Sequence, residues 1–221
     1  MRKILLSCSV VLLFACANED GLENNSLDSG KGNNNTTIRA RSVDFDLLFN
    51  NYVHSNSFIN LNQKIKQFSV LLKYEGDLSL IDTNSKMFDW ISANLDSTDF
   101  GSISNAVSKW EEIENLQEVD FIENASFYSQ IRPNKNQFAE LWLHHSIENI
   151  VTNNQPCKDQ LIGCNTDAAT QYADGMAGAL QALEDGQVNS ATCNKLMAQT
   201  RQIYDISLTL CKDQYEKCLF N

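Results

Sequence analysis

The stretches CKDQLIGC, residues 157–164, and CKDQYEKC, residues 211–218, decide how the last third of the chain folds. Each places two cysteines seven positions apart, which is nearly two helical turns, so both cysteines of a stretch share one helix face. Their Cα atoms are then about 10.5 Å apart, whereas a disulfide needs less than about 7 Å. Provided that both stretches are helical, disulfides must therefore join one stretch to the other.

A turn between the two stretches determines which cysteines pair. Residues 184–188, EDGQV, separate two helical patterns and predict a tight turn that makes the helices antiparallel. In such a hairpin, residues at the same level are equidistant from the turn. The midpoint in sequence between Cys157 and Cys218 is the same as that between Cys164 and Cys211, and it lies inside the turn. We therefore predict the disulfides Cys157–Cys218 and Cys164–Cys211.

The faces of the two hairpin helices support the same alignment. The seam of the first helix carries small residues, which are Cys164, Ala168, Gly175, Gly178 and Ala182. The residues expected opposite them are Met197, Thr200, Tyr204 and Ser207. The residues expected to pack on the preceding helices are Tyr172, Met176, Leu180, Leu183, Leu196, Ile203 and Leu210.

The layout resembles the twin C-x(n)-C helical hairpins, such as the twin C-x9-C proteins of mitochondria and the plant α-hairpinins. Only the spacing logic is shared, so the resemblance implies neither common ancestry nor function. Cys193 has no partner in this scheme and faces the same seam, opposite Ala182. We expect a buried free thiol there; the alternatives are an intermolecular disulfide or a reactive site.

Upstream of the hairpin the apolar residues repeat with a helical period, as in Phe45, Leu48, Phe49, Tyr52 and Val53. We predict an all-α bundle over residues 43–152, followed by the hairpin over residues 153–221 packed on it. The expected signals for helix ends are Gly76 as a stop, starts near Thr83 and Ser102, and an Asn134–Gln137 capping box that opens a helix reaching about Val151. Six acidic side chains between Glu111 and Glu123 are interpreted as a solvated helix face; a cation or basic-partner patch is the alternative.

The first residues predict an export route. Met1-Arg2-Lys3 precedes an apolar run over residues 4–15, which is too short for the roughly 20 residues that span a bilayer. Leu13-Phe14-Ala15-Cys16 resembles the lipobox of bacterial lipoproteins, in which cleavage precedes a cysteine that becomes lipidated. The resemblance implies a signal peptide over residues 1–15 and a lipid anchor, with palmitate, at Cys16.

The segment behind Cys16 predicts where the protein is displayed. Ala17-Asn18-Glu19-Asp20 resembles the surface-export signal of Bacteroidetes lipoproteins, which implies the outer membrane and the cell surface; the periplasmic face is the alternative. Residues 16–42 are rich in Asn, Ser, Gly and Thr and bury too little apolar area to offset their ordering entropy. We predict a disordered tether between the anchor and the bundle.

Composition and motifs restrict the function. The 221 residues carry a net charge of −11, which argues against nucleic acid as a partner, and 43% are apolar, which suffices for a folded core. The chain carries none of the usual catalytic or nucleotide-binding motifs, so we expect neither a cofactor nor an enzyme. The one metal candidate is Glu140, His144 and Glu148, spaced by four residues on one helix, with His54 as the candidate fourth ligand.

We therefore expect a membrane-anchored module that binds an unknown protein, glycan or small molecule. A metal-dependent enzyme that uses Glu140, His144 and Glu148 is one alternative. An inhibitor or immunity-type protective lipoprotein is the other.

Overall fold

Eight α-helices and two short 3-10 helices, without a strand, make up residues 44–147 and 154–219, which are the residues that the computed structural model describes. The α-helices are α1 (Phe45–Val53), α2 (Asn56–Leu72), α3 (Asn84–Ala93), α4 (Ile103–Glu123), α5 (Ala125–Ile131), α6 (Lys135–Ile147), α7 (Gln155–Glu184) and α8 (Ser190–Leu219). The 3-10 helices are Leu78–Leu80 and Leu95–Ser97. The predicted all-α fold is confirmed.

Several helices begin where a short polar side chain accepts a backbone N–H of the first turn. Ser55 accepts from Phe58 N in α2, Thr83 from Lys86 N in α3, and Ser102 from Asn105 N in α4. Such caps satisfy donors that the helix itself leaves unpaired. The predicted starts near Thr83 and Ser102 are confirmed.

One predicted helix-end signal is wrong, and another is right in position but not in its hydrogen bonds. α2 ends at Leu72, before Gly76, because Lys73 adopts the left-handed conformation with φ 51° and its N–H bonds to the Ser69 carbonyl. α6 begins at Lys135, directly after Asn134 as predicted, but the capping box does not form. The Asn134 amide donates to the Gln130 carbonyl instead, and the Gln137 amide donates to Asp46. The predicted end of this helix near Val151 lies outside the described residues.

The two longest helices, α7 and α8, form the antiparallel hairpin. Disulfides join Cys157 to Cys218 and Cys164 to Cys211, with Cα–Cα distances of 5.8 and 5.7 Å. The predicted pairing is confirmed. Gly186 provides the sharp turn with φ 66°, and the N–H groups of Gln187 and Val188 both donate to the Ala182 carbonyl.

The seam between α7 and α8 matches the predicted alignment at Gly175. A Cβ atom added there would lie 2.6 Å from Thr200 Cγ2, so the absence of a side chain allows the two helices to approach closely. Gly178, in contrast, is exposed and does not lie in the seam. Leu196 is also 43% exposed, so the prediction that it packs on the bundle is wrong.

Two apolar clusters form the core, and α8 contributes to both. One cluster contains Tyr52, Phe127, Trp142 and Met197 and joins α1, α5, α6 and the hairpin. The other contains Leu61, Ile91 and Trp110, together with residues of α8, and joins α2, α3 and α4. The hairpin is therefore part of the core, and all described residues belong to one compact unit.

The predicted signal peptide, Cys16 and the tether lie outside the described residues. Within the residues that the structure does describe, no helix combines the length and the apolar character that a membrane span requires.

Candidate functional site: a buried arginine cluster beside a small pocket

The buried stripe of α4 changes from apolar to polar along its length. It begins with Ala106, Trp110 and Ile113 and continues, at the same helical spacing, with Gln117 and Asp120. Both polar side chains are 0% exposed. A buried carboxylate must be paired or hydrogen-bonded, because moving an isolated charge out of water is very costly.

The partner of Asp120 is Arg201 of α8, which is itself only 5% exposed. Its Nη2 lies 3.2 Å from Asp120 Oδ2 and donates to Tyr128 Oη at 2.7 Å and to Tyr52 Oη. Its Nε donates to Gln117 Oε1 at 2.8 Å. We call these five residues, from α1, α4, α5 and α8, the Arg201 cluster.

The carboxylate of Asp120 accepts several further hydrogen bonds. Tyr128 Oη donates to Oδ2 at 2.5 Å and Tyr52 Oη donates to the same oxygen at 3.1 Å. The Asn124 amide donates to Oδ1 at 2.9 Å. Burial raises the pKa of Tyr52 and Tyr128 well above the ordinary tyrosine value, so both hydroxyls stay protonated and can donate.

One edge of the Arg201 guanidinium remains available. Its hydrogen bonds within the described residues come from Nε and Nη2, whereas Nη1 donates to none of them. The Cζ atom lies 5.6 Å from the ring centre of Tyr52 and 5.8 Å from that of Phe58, which adds cation–π attraction. The guanidinium is therefore fixed in position while two of its N–H groups stay unused.

Arg201 also lines a pocket of about 200 Å³ between α2, α6, α7 and α8. We call it the Arg201 pocket. Its wall includes the aromatic residues Phe58, Trp142, Tyr172 and Tyr204. Tyr172 stacks on Tyr204 with ring centres 4.7 Å apart, and Trp142 meets Tyr172 edge-on at 5.2 Å.

Three residues of this wall have buried polar atoms without a hydrogen-bond partner among the described residues. These atoms are Trp142 Nε1, Tyr172 Oη and Tyr204 Oη. The side chains are 4%, 2% and 9% exposed. Burial raises the pKa of Tyr172 to about 12 and raises that of Tyr204 above its ordinary value, with Ser146 opposing the rise at Tyr204. Both hydroxyls are therefore protonated donors at neutral pH.

Asp205 and Lys66 contribute opposite charges to the same pocket. Asp205 Oδ2 accepts a hydrogen bond of 2.5 Å from Ser69 Oγ. Burial raises the pKa of Asp205 above its ordinary value, although the Ser69 hydroxyl and the Lys66 ammonium both act in the opposite direction.

A larger groove of about 800 Å³ runs along the outer side of α2. Its lining includes the exposed apolar residues Ile59 and Val70 and several exposed polar side chains. Apolar residues scattered on a surface are common in monomeric proteins, so this groove does not indicate a specific ligand.

The metal candidate predicted from the sequence is not assembled within the described residues. Glu140 and His144 are exposed on α6, and His54 is exposed with its Nδ1 hydrogen-bonded to the Asn50 carbonyl at 2.7 Å. Glu148 lies outside the described residues. No group of three His, Cys, Asp or Glu side chains suited to a metal occurs in residues 44–147 and 154–219.

The predicted free thiol and the acidic stretch can also be placed. Cys193 is buried and forms no disulfide, and its Sγ donates to the Ala179 carbonyl at 3.4 Å. Burial raises its pKa, which makes the nucleophilic thiolate less available. In the acidic stretch Glu111, Glu112, Glu118 and Glu123 are exposed as expected, whereas Asp120 is buried in the Arg201 cluster.

The comparisons with known proteins add no relative. No family model matches this chain, and neither a curated protein nor a solved structure is significantly similar to it. Its function must therefore be argued from the site itself.

Proposed function

We propose that this protein is a lipid-anchored outer-membrane lipoprotein that binds a small molecule in the Arg201 pocket. The anchor rests on the sequence, in which a short apolar run ends at the lipobox-like residues before Cys16. The binding role rests on the geometry around Arg201.

The observation that carries the binding role is the set of polar atoms without partners around one small pocket. Each unsatisfied buried polar group costs about 1–3 kcal/mol, and folded proteins retain few of them. Three of the seven such side-chain atoms among the described residues belong to residues that line the Arg201 pocket. A ligand that reaches them would recover part of this cost on binding.

The size of the pocket favours a small molecule over a protein or a glycan. Its volume of about 200 Å³ is below the roughly 300–1,000 Å³ typical of sites for drug-sized ligands. Helices α2, α6, α7 and α8 supply its walls, and the disulfides join α7 to α8. Walls that are held together before binding reduce the entropy that binding would otherwise cost.

A thermal-shift screen of small molecules of all charge types tests this proposal. The variant Ser146→Phe fills the pocket from α6, while Ser129→Phe makes the same change on the exposed face of α5. We expect at least one compound to raise the Tm of the native protein and of Ser129→Phe but not that of Ser146→Phe. A screen in which no compound distinguishes Ser146→Phe from the other two proteins would reject the binding role.

The anchor is tested separately in cells. Cys16→Ala should abolish incorporation of labelled palmitate and release the protein from the membrane fraction. Protease treatment of intact cells should degrade the protein if it is displayed on the surface. Unchanged palmitate labelling of Cys16→Ala would reject lipidation at this cysteine.

A further inference from the structure

We propose that the ligand of the Arg201 pocket is a compact carboxylate, whose charged end meets Arg201 and whose apolar or aromatic body lies against the ring-lined wall. This inference rests on the proposed function, because it names the chemical class of ligand for the same pocket.

The polar groups without a partner on the residues that line the pocket can all donate a hydrogen bond. Arg201 Nη1 carries two N–H groups that no described residue accepts, and Trp142 Nε1 can only donate. The protonated hydroxyls of Tyr172 and Tyr204 add two O–H groups. A ligand that satisfies them must supply acceptors, and a carboxylate supplies two oxygens with about four lone-pair sites.

The geometry of Arg201 selects an anion over a neutral acceptor. A guanidinium forms its strongest hydrogen bonds with oxyanions, and the Arg201 cluster holds this one fixed before a ligand arrives. Lys66 also lines the pocket. The opposing charge of Asp205 is partly offset by Lys66 and by the hydrogen bond from Ser69.

The remaining wall selects a compact ring or apolar body. Phe58, Trp142, Tyr172 and Tyr204 present aromatic surface, and Ile65 and Leu208 add aliphatic surface. The edge-on and stacked arrangements of these rings suit a further ring that packs beside them. A volume of about 200 Å³ corresponds to about seven water molecules, which suits a single-ring carboxylate.

Three probes of nearly the same size and shape test the effect of charge alone. Benzoate, benzamide and benzamidine share one ring and carry a negative, a neutral and a positive end group. In calorimetric titrations of the purified protein, we expect benzoate to bind about 10- to 100-fold more tightly than benzamide, because a hydrogen bond to a charged partner is lost. Benzamidine should bind more weakly than either probe, since its charge repels Arg201.

A variant that keeps the fold tests the role of the wall. Tyr172→Phe removes only a hydroxyl that has no partner, so its Tm should equal or exceed that of the native protein. We expect it to weaken benzoate binding about 5- to 10-fold and to leave benzamidine unaffected. The matched control is Tyr215→Phe, which makes the same change on α8 outside the pocket and should change no affinity.

The outcomes separate this inference from the proposed function. Equal binding of the three probes, or preference for benzamidine, would overturn the carboxylate and leave the pocket as a binding site. If benzoate fails to bind at 10 mM while the screen against Ser146→Phe finds other ligands, the carboxylate is again overturned. If neither benzoate nor any screened compound binds, the proposed function fails as well.

Discussion

At the scale of single residues, the core contains one buried ion pair, formed by Arg201 and Asp120. Arg201 replaces an apolar side chain on the core-facing stripe of α8, between Met197 and Tyr204. Its burial is possible because Asp120, Gln117 and two tyrosine hydroxyls meet Nε and Nη2. A buried ion pair gains little net stability over well-packed apolar residues, but it fixes the positions of its members.

The first prediction concerns this pair. Arg201→Met should lower the free energy of unfolding by about 3–5 kcal/mol, because it leaves the carboxylate of Asp120 buried without its cation. The double variant Arg201→Met/Asp120→Leu should recover part of that loss, since neither charge remains. Urea unfolding followed by circular dichroism measures both changes.

An exposed ion pair provides the control for this measurement. Lys135 Nζ lies 2.6 Å from Asp174 Oδ1, but both side chains are about half exposed. Lys135→Met should therefore change the free energy of unfolding by less than about 1 kcal/mol. If Arg201→Met is as mild as Lys135→Met, the cluster does not hold the buried charge as described.

The second prediction concerns Asp205 and pH. Because burial raises its pKa in the folded protein, the folded state binds more protons than the unfolded state from about the ordinary pKa upward. This side chain therefore makes the protein less stable as the pH rises through that window, and the loss persists at neutral pH. Asp205→Asn should remove the loss and raise the Tm at pH 7.

The pH dependence of the difference identifies the cause. At about pH 3.5 Asp205 is mostly protonated in both states, so native protein and Asp205→Asn should have nearly the same Tm. At pH 7 the variant should be the more stable. Calorimetry at both pH values checks this, and a difference that is the same at both would contradict the assigned pKa direction.

The sequence contained a signal for the Arg201 cluster that composition alone conceals. Asp120 belongs to a run of acidic residues, and charged side chains usually remain in water, so the run predicts a solvated face. Its position, however, continues the buried stripe of Trp110 and Ile113 through Gln117. Polar residues that fall on an apolar stripe in two helices can be recognised as partners, but which helices meet depends on tertiary packing.

At the scale of helices, the approach of α7 to α8 depends on Gly175. Among the described glycines of the hairpin, Gly175 is the one at which an added Cβ atom would come closest to another atom, and that atom belongs to Thr200. The cysteine spacing predicts this contact, since the midpoint in sequence between Gly175 and Thr200 is the same as that of each disulfide pair. The helical period is regular enough to carry this alignment along both helices.

The third prediction tests this contact. Gly175→Ala should destabilise the protein by about 1–3 kcal/mol, because its Cβ atom would lie 2.6 Å from Thr200 Cγ2 and force the helices apart. Gly175→Ala/Thr200→Ala should restore stability, since the obstructing atoms are removed. Thermal unfolding measures both variants.

A second glycine in the same helix is the matched control. A Cβ atom at Gly178 would meet no other atom within 4 Å, and the position is exposed. Gly178→Ala should therefore stabilise the protein by about 0.5–1 kcal/mol, because alanine loses less conformational freedom in a helix. If Gly175→Ala is also stabilising, the helices do not approach as closely as described.

Helix ends and the faces of α8 were less predictable than the alignment of the hairpin. The stop at Lys73 needs a left-handed conformation that glycine, not lysine, usually adopts, and here the chain must turn so that Tyr74 enters the core. Leu196 follows the apolar period of α8 but faces solvent, because nothing in the described chain covers that part of the helix. The apolar periodicity of a helix does not show which other helices pack against each of its faces.

At the scale of the whole molecule, α8 connects the parts. It contributes to both apolar clusters, supplies Arg201, and is held to α7 by both disulfides. The disulfides lie at the open end of the hairpin, while the turn lies at the other. Loss of the covalent ladder should therefore affect the stability of the entire compact unit.

The fourth prediction concerns the free energy of unfolding that the two disulfides contribute. The two bonds close loops with sequence separations of 61 and 47 residues, each worth about 4 kcal/mol alone in the chain-entropy model. With one bond in place, the other closes only a short additional loop. Replacing Cys157 and Cys218 by alanine, or Cys164 and Cys211, should therefore cost about 3 kcal/mol, and replacing all four about 7 kcal/mol.

Urea unfolding of the three variants measures these costs. Treatment of the native protein with a thiol reductant should reproduce the result for the variant without the four cysteines. A native protein that keeps its stability after full reduction would contradict the ladder's role.

The two disulfides also determine the product of a protease cut at the turn between α7 and α8. Residues 185–187 are exposed and lie in the turn that connects α7 to α8. A backbone cut there would yield two fragments that remain covalently joined through two sulfur–sulfur bonds at the far end. The nicked protein would migrate as one chain until it is reduced, and the walls of the Arg201 pocket that α7 and α8 supply would stay together.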